Sequence, residues 1–203
     1  MAKKKKSTNI NKWDDDYYTQ LAKKENYPAR SVYKLKEIDE KFKIFKKGQK
    51  ILDLGCAPGS WLKFASEKAG KDGLVVGIDL KKTEIEFPEN TKTFQGDIFE
   101  KETIDFLSSF GPYDILMSDM APDTTGIKYA DSVKSAALCE AALYLCESLL
   151  VKGGVFIAKI FQGPDFDNFA KQVLSEFVKR KIFKPKSCRK NSKEIYIIGM
   201  ERK

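Results

Sequence analysis

The stretch Ile51-Leu52-Asp53-Leu54-Gly55-Cys56-Ala57-Pro58-Gly59-Ser60-Trp61 decides the fold of this chain. Its apolar start, Ile51 to Leu54, is typical of a buried strand, and apolar residues at helical spacing follow from Trp61. Two glycines in the loop between them let the backbone approach a ligand without a Cβ in the way. Strand, glycine loop and helix are the first unit of a doubly wound α/β sheet, where ligands bind at the carboxyl ends of strands.

The spacing of the glycines narrows the class of ligand. It is neither G-x-G-x-x-G, which indicates a dinucleotide, nor G-x-x-x-x-G-K-[ST], which indicates a phosphate cradle. The pattern D-x-G-x-x-x-G resembles the first motif of class I S-adenosylmethionine-dependent methyltransferases. An ordinary glycine-bearing turn is the alternative that this stretch alone leaves open.

The size and charge of the chain restrict the function classes further. Its 203 residues suit one domain with a sizeable core, and no apolar run approaches the length of about 20 residues that a membrane helix needs. The net charge of +8 favours a polyanionic partner such as RNA over a small neutral substrate, although a lysine-rich proteome would give the same charge. We therefore expect a cytoplasmic monomer without a membrane partner.

The chain has no histidine, which excludes Ser-His-Asp and Cys-His catalysis and histidine metal sites. The four cysteines contain no C-x-x-C pair, and Cys139 and Cys146 lie two helical turns apart on one helix face. We expect four free thiols in a reducing cytoplasm and no metal site.

Strand and helix patterns alternate after two N-terminal helices, which predicts an α/β fold with a mostly parallel seven-stranded sheet and helices on both faces. We expect a basic flexible tail at residues 1–12 and a single domain at residues 13–203. A long amphipathic helix is predicted from Ser132 to Leu150, stopped by Gly153-Gly154. The predicted strands are 51–54, 74–80, 91–95, 113–118, 155–160, one near Phe183, and 194–200; the other predicted helices are 13–26, 29–42, 101–109 and 166–178.

Two acidic residues follow neighbouring strands. Asp79 ends the second strand about 20 residues after the glycine loop, where a carboxylate accepts hydrogen bonds from ribose hydroxyls in nucleotide-binding sheets. Asp97 follows the third strand at the same level and could accept a hydrogen bond from an adenine amino group. A turn acid for Asp79, and a helix N-cap for Asp97, are the structural alternatives.

Lys159 lies inside the apolar run from Val155 to Phe161, although lysines are rarely buried without a partner. It must therefore face the ligand crevice at the open end of its strand or pair with an acid. Asp119 also ends a strand, and adjacent strands would bring Asp119 and Lys159 side by side. A purely structural ion pair is the alternative.

Five short segments carry the most specific pattern in the chain. They are Ala29–Leu35 (ARSVYKL), Asp53–Trp61 (DLGCAPGSW), Ser118–Pro122 (SDMAP), Lys159–Gly163 (KIFQG) and Ser192–Tyr196 (SKEIY). In this order they resemble the FtsJ/RrmJ family of RNA ribose 2′-O-methyltransferases, and the resemblance extends from about Trp13 to Met200. It implies the class I methyltransferase (Rossmann-like) fold, S-adenosyl-L-methionine as cofactor and S-adenosyl-L-homocysteine as product.

The resemblance also implies which residues form the site. The family's catalytic tetrad falls on Lys34, Asp119, Lys159 and Glu194. Its cofactor positions fall on Gly59, Trp61, Asp79, Asp97 and Asp119. Without the resemblance, Lys34 would be interpreted as a solvated helix charge and Glu194 as an edge-strand acid. One departure is Ser60, where bacterial members often have a second glycine.

As a mechanism, we expect Lys159 in its neutral form to act as the general base on a ribose 2′-hydroxyl, with Asp119 orienting it and Lys34 and Glu194 holding the nucleotide. A charged Lys159 that stabilises the developing alkoxide is the competing version. RNA phosphates would contact lysines of the tail and the first two helices. These candidates are Lys3 to Lys6, Lys12, Lys23, Lys24 and Arg30.

The family methylates large-subunit ribosomal RNA, tRNA or mRNA caps. A short chain resembles the minimal bacterial type, which implies a uridine ribose of 23S-type ribosomal RNA in the assembled large ribosomal subunit. A tRNA ribose 2′-O-methyltransferase is the second candidate. A small-molecule methyltransferase would not explain the basic segments, and a non-catalytic RNA-binding protein would not explain the complete tetrad.

Overall fold

The computed structural model describes residues 12–203, in which strands and helices alternate after two N-terminal helices. The strands are β1 (Lys50–Leu54), β2 (Leu74–Asp79), β3 (Thr91–Gln95), β4 (Tyr113–Ser118), β5 (Leu150–Phe161), β6 (Phe177–Phe183) and β7 (Glu194–Arg202). The helices are α1 (Lys12–Lys24), α2 (Val32–Phe42), α3 (Ser60–Ala69), α4 (Lys101–Phe110), α5 (Lys128–Leu149) and α6 (Phe166–Glu176). The predicted basic tail lies outside the described residues except for Lys12, with which α1 begins, and the division into tail and domain stays a prediction.

All seven strands join one sheet in the order β3-β2-β1-β4-β5-β7-β6. The strands from β3 to β5 are parallel, while β7 runs antiparallel between β5 and β6. Strand β1 lies between β2 and β4 and its last four residues are buried, as expected for a parallel strand covered on both faces. The predicted mostly parallel α/β sheet is therefore confirmed.

Helices cover both faces of the sheet, and each face has its own apolar core. Residues of α1, α2 and α3 pack on one face against side chains such as Ile51, Ile115 and Ile157. Residues of α4, α5 and α6 pack on the other face against Leu52, Leu116 and neighbouring strand residues. This layering leaves the carboxyl ends of the parallel strands as an edge at which loops from different strands meet.

Two predicted helix ends, Leu150 and Val178, differ from the structure by one and two residues. Helix α5 ends at Leu149, before Gly153-Gly154, because Leu150 is already extended and pairs with Tyr113 of β4. The glycines instead lie within β5, where the register of the β4–β5 pairing shifts. Helix α6 ends at Glu176 because the following residue, Phe177, is fully buried in β6.

The predicted strands 91–95 and 113–118 match β3 and β4 in full, and most other boundaries differ by a few residues. The helix predicted from Ala29 begins at Val32, and the one predicted from Ser132 begins at Lys128. None of the helices between residues 12 and 203 combines the length and the apolarity that a bilayer span requires.

Candidate active site

The glycine loop after β1 is hydrogen-bonded to β2 and packs against the loop after β4. The backbone N–H groups of Gly55 and Cys56 both donate to the carbonyl of Ile78, at 2.8 and 3.0 Å. Gly55 has a φ of +77°, and a Cβ at this position would lie 2.5 Å from Cγ of Met120. The conformation and the close approach both require glycine, so the loop packs directly on the residues that follow Asp119.

A cleft of about 380 Å³ opens at this edge of the sheet, a volume in the usual range for small-molecule sites. Residues from the loops after β1, β2, β3 and β4 line it together with one residue of α5. Its acidic side chains are Asp79, Asp97, Asp119 and Asp123, and its apolar ones include Ile78, Leu80, Ile98, Phe99, Met120 and Leu138. Such a lining suits a ligand with an apolar plane and with hydroxyl or cationic groups.

Asp79 and Asp97 both line the cleft, as the sequence predicts for cofactor contacts. The Asp79 carboxylate accepts hydrogen bonds from the N–H of Ala57 at 3.0 Å and of Lys81 at 2.8 Å, which ties β2 to the glycine loop. A carboxylate has about four lone-pair positions, so both oxygens can accept further bonds. Asp97 accepts from the N–H of Phe99 at 3.1 Å and does not cap α4, which begins at Lys101.

Gly59 and Trp61, the other two predicted cofactor residues, lie outside the lining of this cleft. Gly59 has a φ of 114°, and a Cβ there would lie 2.8 Å from the ring of Phe87. The Trp61 side chain is buried, and its indole N–H donates to the carbonyl of Ser31 at 2.9 Å. In this structure Gly59 shapes the loop and Trp61 fixes α3 to the start of α2, and their contact with a cofactor stays a prediction.

The loop after β4 forms one rim of the cleft and is fixed by Asp131 of α5. The Asp131 carboxylate accepts from the backbone N–H of Thr125 at 2.7 Å, from its hydroxyl at 2.9 Å and from the N–H of Gly126 at 3.2 Å. These bonds, that of the Thr125 N–H foremost, lower the pKa of Asp131. The rim that carries Asp123 is therefore held by a permanent anion.

Lys159 and Asp119 form an ion pair beside the cleft, with 3.0 Å between Nζ and Oδ1. The Lys159 ammonium also donates to the backbone carbonyl of Asp119. The pairing of β4 with β5 puts Ser118 opposite Ala158, so the next residue of each strand meets at the edge of the sheet. The expected juxtaposition of these two side chains is thus present, and Lys159 is only 7% exposed.

Lys34 and Glu194 form a second ion pair, with 2.8 Å between Nζ and Oε2. Burial lowers the pKa of Lys34, but the charges of Asp119 and Glu194 and the hydrogen bond to Glu194 outweigh it and leave the pKa raised. Lys34 is therefore a permanent cation. Because the charge of Asp119 acts on Lys34, the two ion pairs lie close enough to form one electrostatic cluster.

Tyr196 binds the carboxylate of the Lys159–Asp119 pair, a role that the sequence analysis did not assign. It lies opposite Lys159 in the β5–β7 pairing and donates its hydroxyl to Oδ1 of Asp119 at 2.8 Å. Burial, then the charges of Asp119 and Glu194, raise its pKa well above the ordinary value, so it remains a donor. The signal was available, because Tyr196 is two residues after Glu194 and shares its face of β7.

Asp53 is a further group that the sequence analysis did not assign. Its side chain is fully buried at the centre of β1, and neither carboxylate oxygen has a hydrogen-bond partner among the described residues. Burial foremost, and then the charges of Asp119 and Asp79, raise its pKa well above the ordinary value. The raised pKa favours the protonated form of the Asp53 carboxyl group.

The four cysteines are free and buried, as predicted. Burial raises the pKa of Cys139 to about 12, and its Sγ–H donates to the carbonyl of Lys159 at 2.9 Å. Among residues 12–203 no group of three or more cysteine, aspartate and glutamate side chains is arranged to hold a metal ion.

Comparison with known proteins identifies the family. The model of the FtsJ-like methyltransferase family matches residues 27–202. The chain is 55% identical over 193 residues to "Ribosomal RNA large subunit methyltransferase E" of Desulforapulum autotrophicum, covering 95% of each chain. It superposes with a TM-score of 0.74 on a structure titled as a ribosomal RNA methyltransferase from Plasmodium falciparum, at 29% identity, covering 87% of this chain and 98% of the other.

A more distant structure shares the fold alone. Human methyltransferase-like protein 13, solved in complex with SAH, superposes with a TM-score of 0.54 at 16% identity over 75% of this chain and 71% of its own. The family model covers most of the chain, and the bacterial relative shares more than half of the aligned residues over nearly its whole length. The chain therefore belongs to the FtsJ-like methyltransferase family, and it is a methyltransferase.

Proposed function

We propose that the protein transfers a methyl group from S-adenosyl-L-methionine to the 2′-hydroxyl of a uridine ribose in large-subunit ribosomal RNA. One observation carries the proposal: two ion pairs, Lys159–Asp119 and Lys34–Glu194, lie together at the edge of a cofactor-sized cleft. The bacterial relative's name supports ribosomal RNA of the large subunit as the substrate. The protein would act as a cytoplasmic monomer.

The cleft fits this cofactor by the chemistry of its lining. Asp79 would accept hydrogen bonds from the ribose hydroxyls, and Asp97 from the adenine amino group, while Ile98 and Phe99 offer an apolar surface to the purine. Asp119, which also lines the cleft, would offer a negative charge to the cationic sulfonium. When bound, S-adenosyl-L-methionine would supply a methyl group that its sulfonium charge already activates.

The residues of the tetrad would position and deprotonate the ribose hydroxyl. Asp119 holds the Lys159 amine through its carboxylate and its carbonyl, which leaves one of the three ammonium donor positions for substrate. In its neutral form Lys159 would take the proton of the 2′-hydroxyl as the methyl group is transferred. Lys34 remains charged, so it would orient the nucleotide with Glu194 and would not act as the base.

The substitution Lys159→Arg tests the base role. Arginine keeps the positive charge but cannot lose its proton at neutral pH. We expect single-turnover methyl transfer to slow at least about 100-fold, the lower range for loss of a general base. A rate close to that of the wild type would mean that Lys159 acts as a cation that stabilises the alkoxide.

The substrate is tested by labelling. The protein would be incubated with methyl-labelled S-adenosyl-L-methionine and, separately, with large-subunit ribosomal RNA, tRNA and isolated large ribosomal subunits. We expect label on a uridine 2′-oxygen of the large-subunit RNA, and more of it in the assembled subunit than in naked RNA. Label on tRNA alone, on a base, or on none of these RNAs would contradict the proposal.

A further inference from the structure

A second positively charged surface lies next to the tetrad, on the loop between β6 and β7. This loop, residues 184–193 (KPKSCRKNSK), carries five basic residues in ten and no acidic one. All five basic side chains are exposed. They are Lys184, Lys186, Arg189, Lys190 and Lys193. We call residues 184–193 the basic loop.

The position of the basic loop follows from the topology of the sheet. Strand β7 runs antiparallel to β5 and begins at Glu194, which lies opposite Phe161 near the carboxyl end of β5. The carbonyl of Lys193 accepts a hydrogen bond at 2.9 Å from the N–H of Gln162, the residue that directly follows β5. The loop thus emerges at the same edge of the sheet as Lys159, immediately before Glu194.

The basic loop is fixed in place by α2. The carboxylate of Glu37 accepts two backbone N–H groups of the loop, from Lys186 at 2.7 Å and from Ser187 at 2.8 Å. Arg30 donates to the carbonyl of Ser187 at 3.1 Å. Glu37 and Lys34 lie one turn apart on α2, so one helix fixes both the loop and the Lys34–Glu194 ion pair.

The loop also closes on itself. The Lys184 ammonium donates to the carbonyl of Ser192 at 2.8 Å, and the N–H of Ser192 donates to the carbonyl of Arg189 at 2.9 Å. By contrast, neither Lys186 nor Lys193 forms a salt bridge or a side-chain hydrogen bond with another described residue. Two exposed cations on a fixed backbone are a suitable surface for the phosphates of a polyanion.

We propose that the basic loop binds the RNA backbone next to the methylated ribose through Lys186 and Lys193, and that Glu37 positions it. This inference rests on the proposed function, because it takes RNA as the substrate. It adds a phosphate-binding surface to the α1 and α2 lysines that the sequence indicates. An RNA strand whose ribose reaches Lys159 would pass close to the basic loop, because Glu194 of the tetrad directly follows the last residue of that loop.

A pair of double variants tests the surface. Lys186→Glu with Lys193→Glu reverses two charges of the basic loop, whereas Lys71→Glu with Lys152→Glu reverses two exposed charges near the amino ends of β2 and β5, on the opposite edge of the sheet. Binding of a large-subunit ribosomal RNA transcript would be measured by filter retention at several salt concentrations. The dissociation constant of S-adenosyl-L-methionine would be measured in parallel.

We expect the loop variant to bind the transcript at least tenfold more weakly than the control variant, with unchanged affinity for the cofactor. The slope of log affinity against log salt should fall by about 1.4, since each lost contact to a single-stranded phosphate removes about 0.7. Equal losses in the two variants, or no loss in the loop variant, would overturn the proposal.

The role of Glu37 is tested by Glu37→Gln, whose single carbonyl oxygen replaces two acceptor oxygens. We expect the KM for ribosomal RNA to rise several-fold while kcat and the cofactor affinity stay within twofold. A fall in kcat without a change in KM, or no change in either, would contradict the positioning role.

The two proposals fail in different ways. Absence of methyl transfer by the wild type to any RNA would refute the proposed function, while the binding comparison would still decide the role of the loop. Normal methylation of ribosomal RNA by the loop variant at limiting RNA concentration would refute the loop alone.

Discussion

A single uncharged side chain, that of Tyr196, helps to orient the Asp119 carboxylate within the charged cluster. Its hydroxyl donates to the Asp119 oxygen that also faces Lys159, so it competes for and fixes the same carboxylate. The raised pKa keeps the hydroxyl protonated in the presence of Asp119 and Glu194. The orientation of Asp119 therefore depends on a residue of β7, the last strand in the sequence.

Removing this hydroxyl by Tyr196→Phe should slow methyl transfer by about tenfold, because a hydrogen bond to a charged group contributes about 1.5 kcal/mol. Single-turnover rates would measure the loss. Tyr113→Phe is the matched control, since its buried hydroxyl donates to the carbonyl of Leu107 at 2.7 Å, away from the cleft. A rate as low in the control as in Tyr196→Phe would show that only stability had changed.

Asp53 makes the stability of the fold depend on pH. Its pKa is raised above the ordinary value of 3.8, so the folded protein keeps a proton that the unfolded chain loses as the pH rises past that value. Stability therefore falls as the pH rises between the unfolded and the folded pKa. This sign is opposite to that of an acid in an ion pair.

The substitution Asp53→Asn should remove this dependence. We expect the wild type to lose more unfolding free energy between pH 5 and pH 8 than the variant, because Asp53 favours a proton in the folded state that the unfolded chain has already lost. Urea denaturation at the two pH values measures it. The exposed Asp72→Asn provides the control, and parallel pH profiles of wild type and Asp53→Asn would disprove the assignment.

At the scale of elements, the first turn of α5 packs on the chain that leaves β5. A Cβ at Gly163 would lie 2.4 Å from both Cβ and Oγ of Ser132, so helix and loop touch without space between them. Ser132 is itself fixed by a hydrogen bond to the carbonyl of Tyr129 at 2.8 Å. Any side chain at position 163 must displace the helix or the loop that follows Lys159.

Gly163→Ala should therefore destabilise the protein by about 1–3 kcal/mol, the usual effect of overpacking. The change should also lower methyl transfer, because Lys159 is four residues away. Gly111→Ala serves as the control, since a Cβ there would be 3.4 Å from the nearest atom, an ordinary contact. Thermal unfolding of the two variants would measure the difference, and equal midpoints would contradict the prediction.

Individual elements also show what could be predicted from the sequence. The apolar runs of β1 and β2 are local signals, and both strands were located correctly because a parallel core strand needs apolar residues on both faces. The end of α5 was predicted to within one residue, but the pairing of Leu150 with β4, and not the two glycines, ends the helix. Tertiary contacts, which no local pattern contains, decide such boundaries.

The site residues also differ in whether a local sequence pattern could predict them. The pairing of Lys159 with Asp119 followed from two strand ends, whereas Lys34 and Glu194 are separated by 160 positions and were identified only through the family resemblance. The basic loop was missed because 37 lysine and arginine residues spread along the chain hide any single cluster. Only the fold shows which of these cations lie beside the tetrad.

At the scale of the whole molecule, the net charge of +8 should make the binding of RNA much more dependent on salt than the binding of the cofactor. RNA binding releases counterions and depends steeply on salt, whereas the cleft binds its ligand through shape, hydrogen bonds and a few acids. We expect RNA affinity to fall at least about tenfold between 50 and 200 mM salt, with cofactor affinity nearly constant. Titrations of each ligand over this range would test it, and equal salt dependence of both would contradict the division.

The insertion of β7 between β5 and β6 has a consequence for the biosynthesis of the enzyme. Glu194 and Tyr196 enter the cluster only when this strand docks, and it does so long after the cleft-forming loops have been translated. The cluster that the two ion pairs form with Tyr196 is therefore complete only after the last strand of the sequence has been synthesised and has docked between its two neighbours.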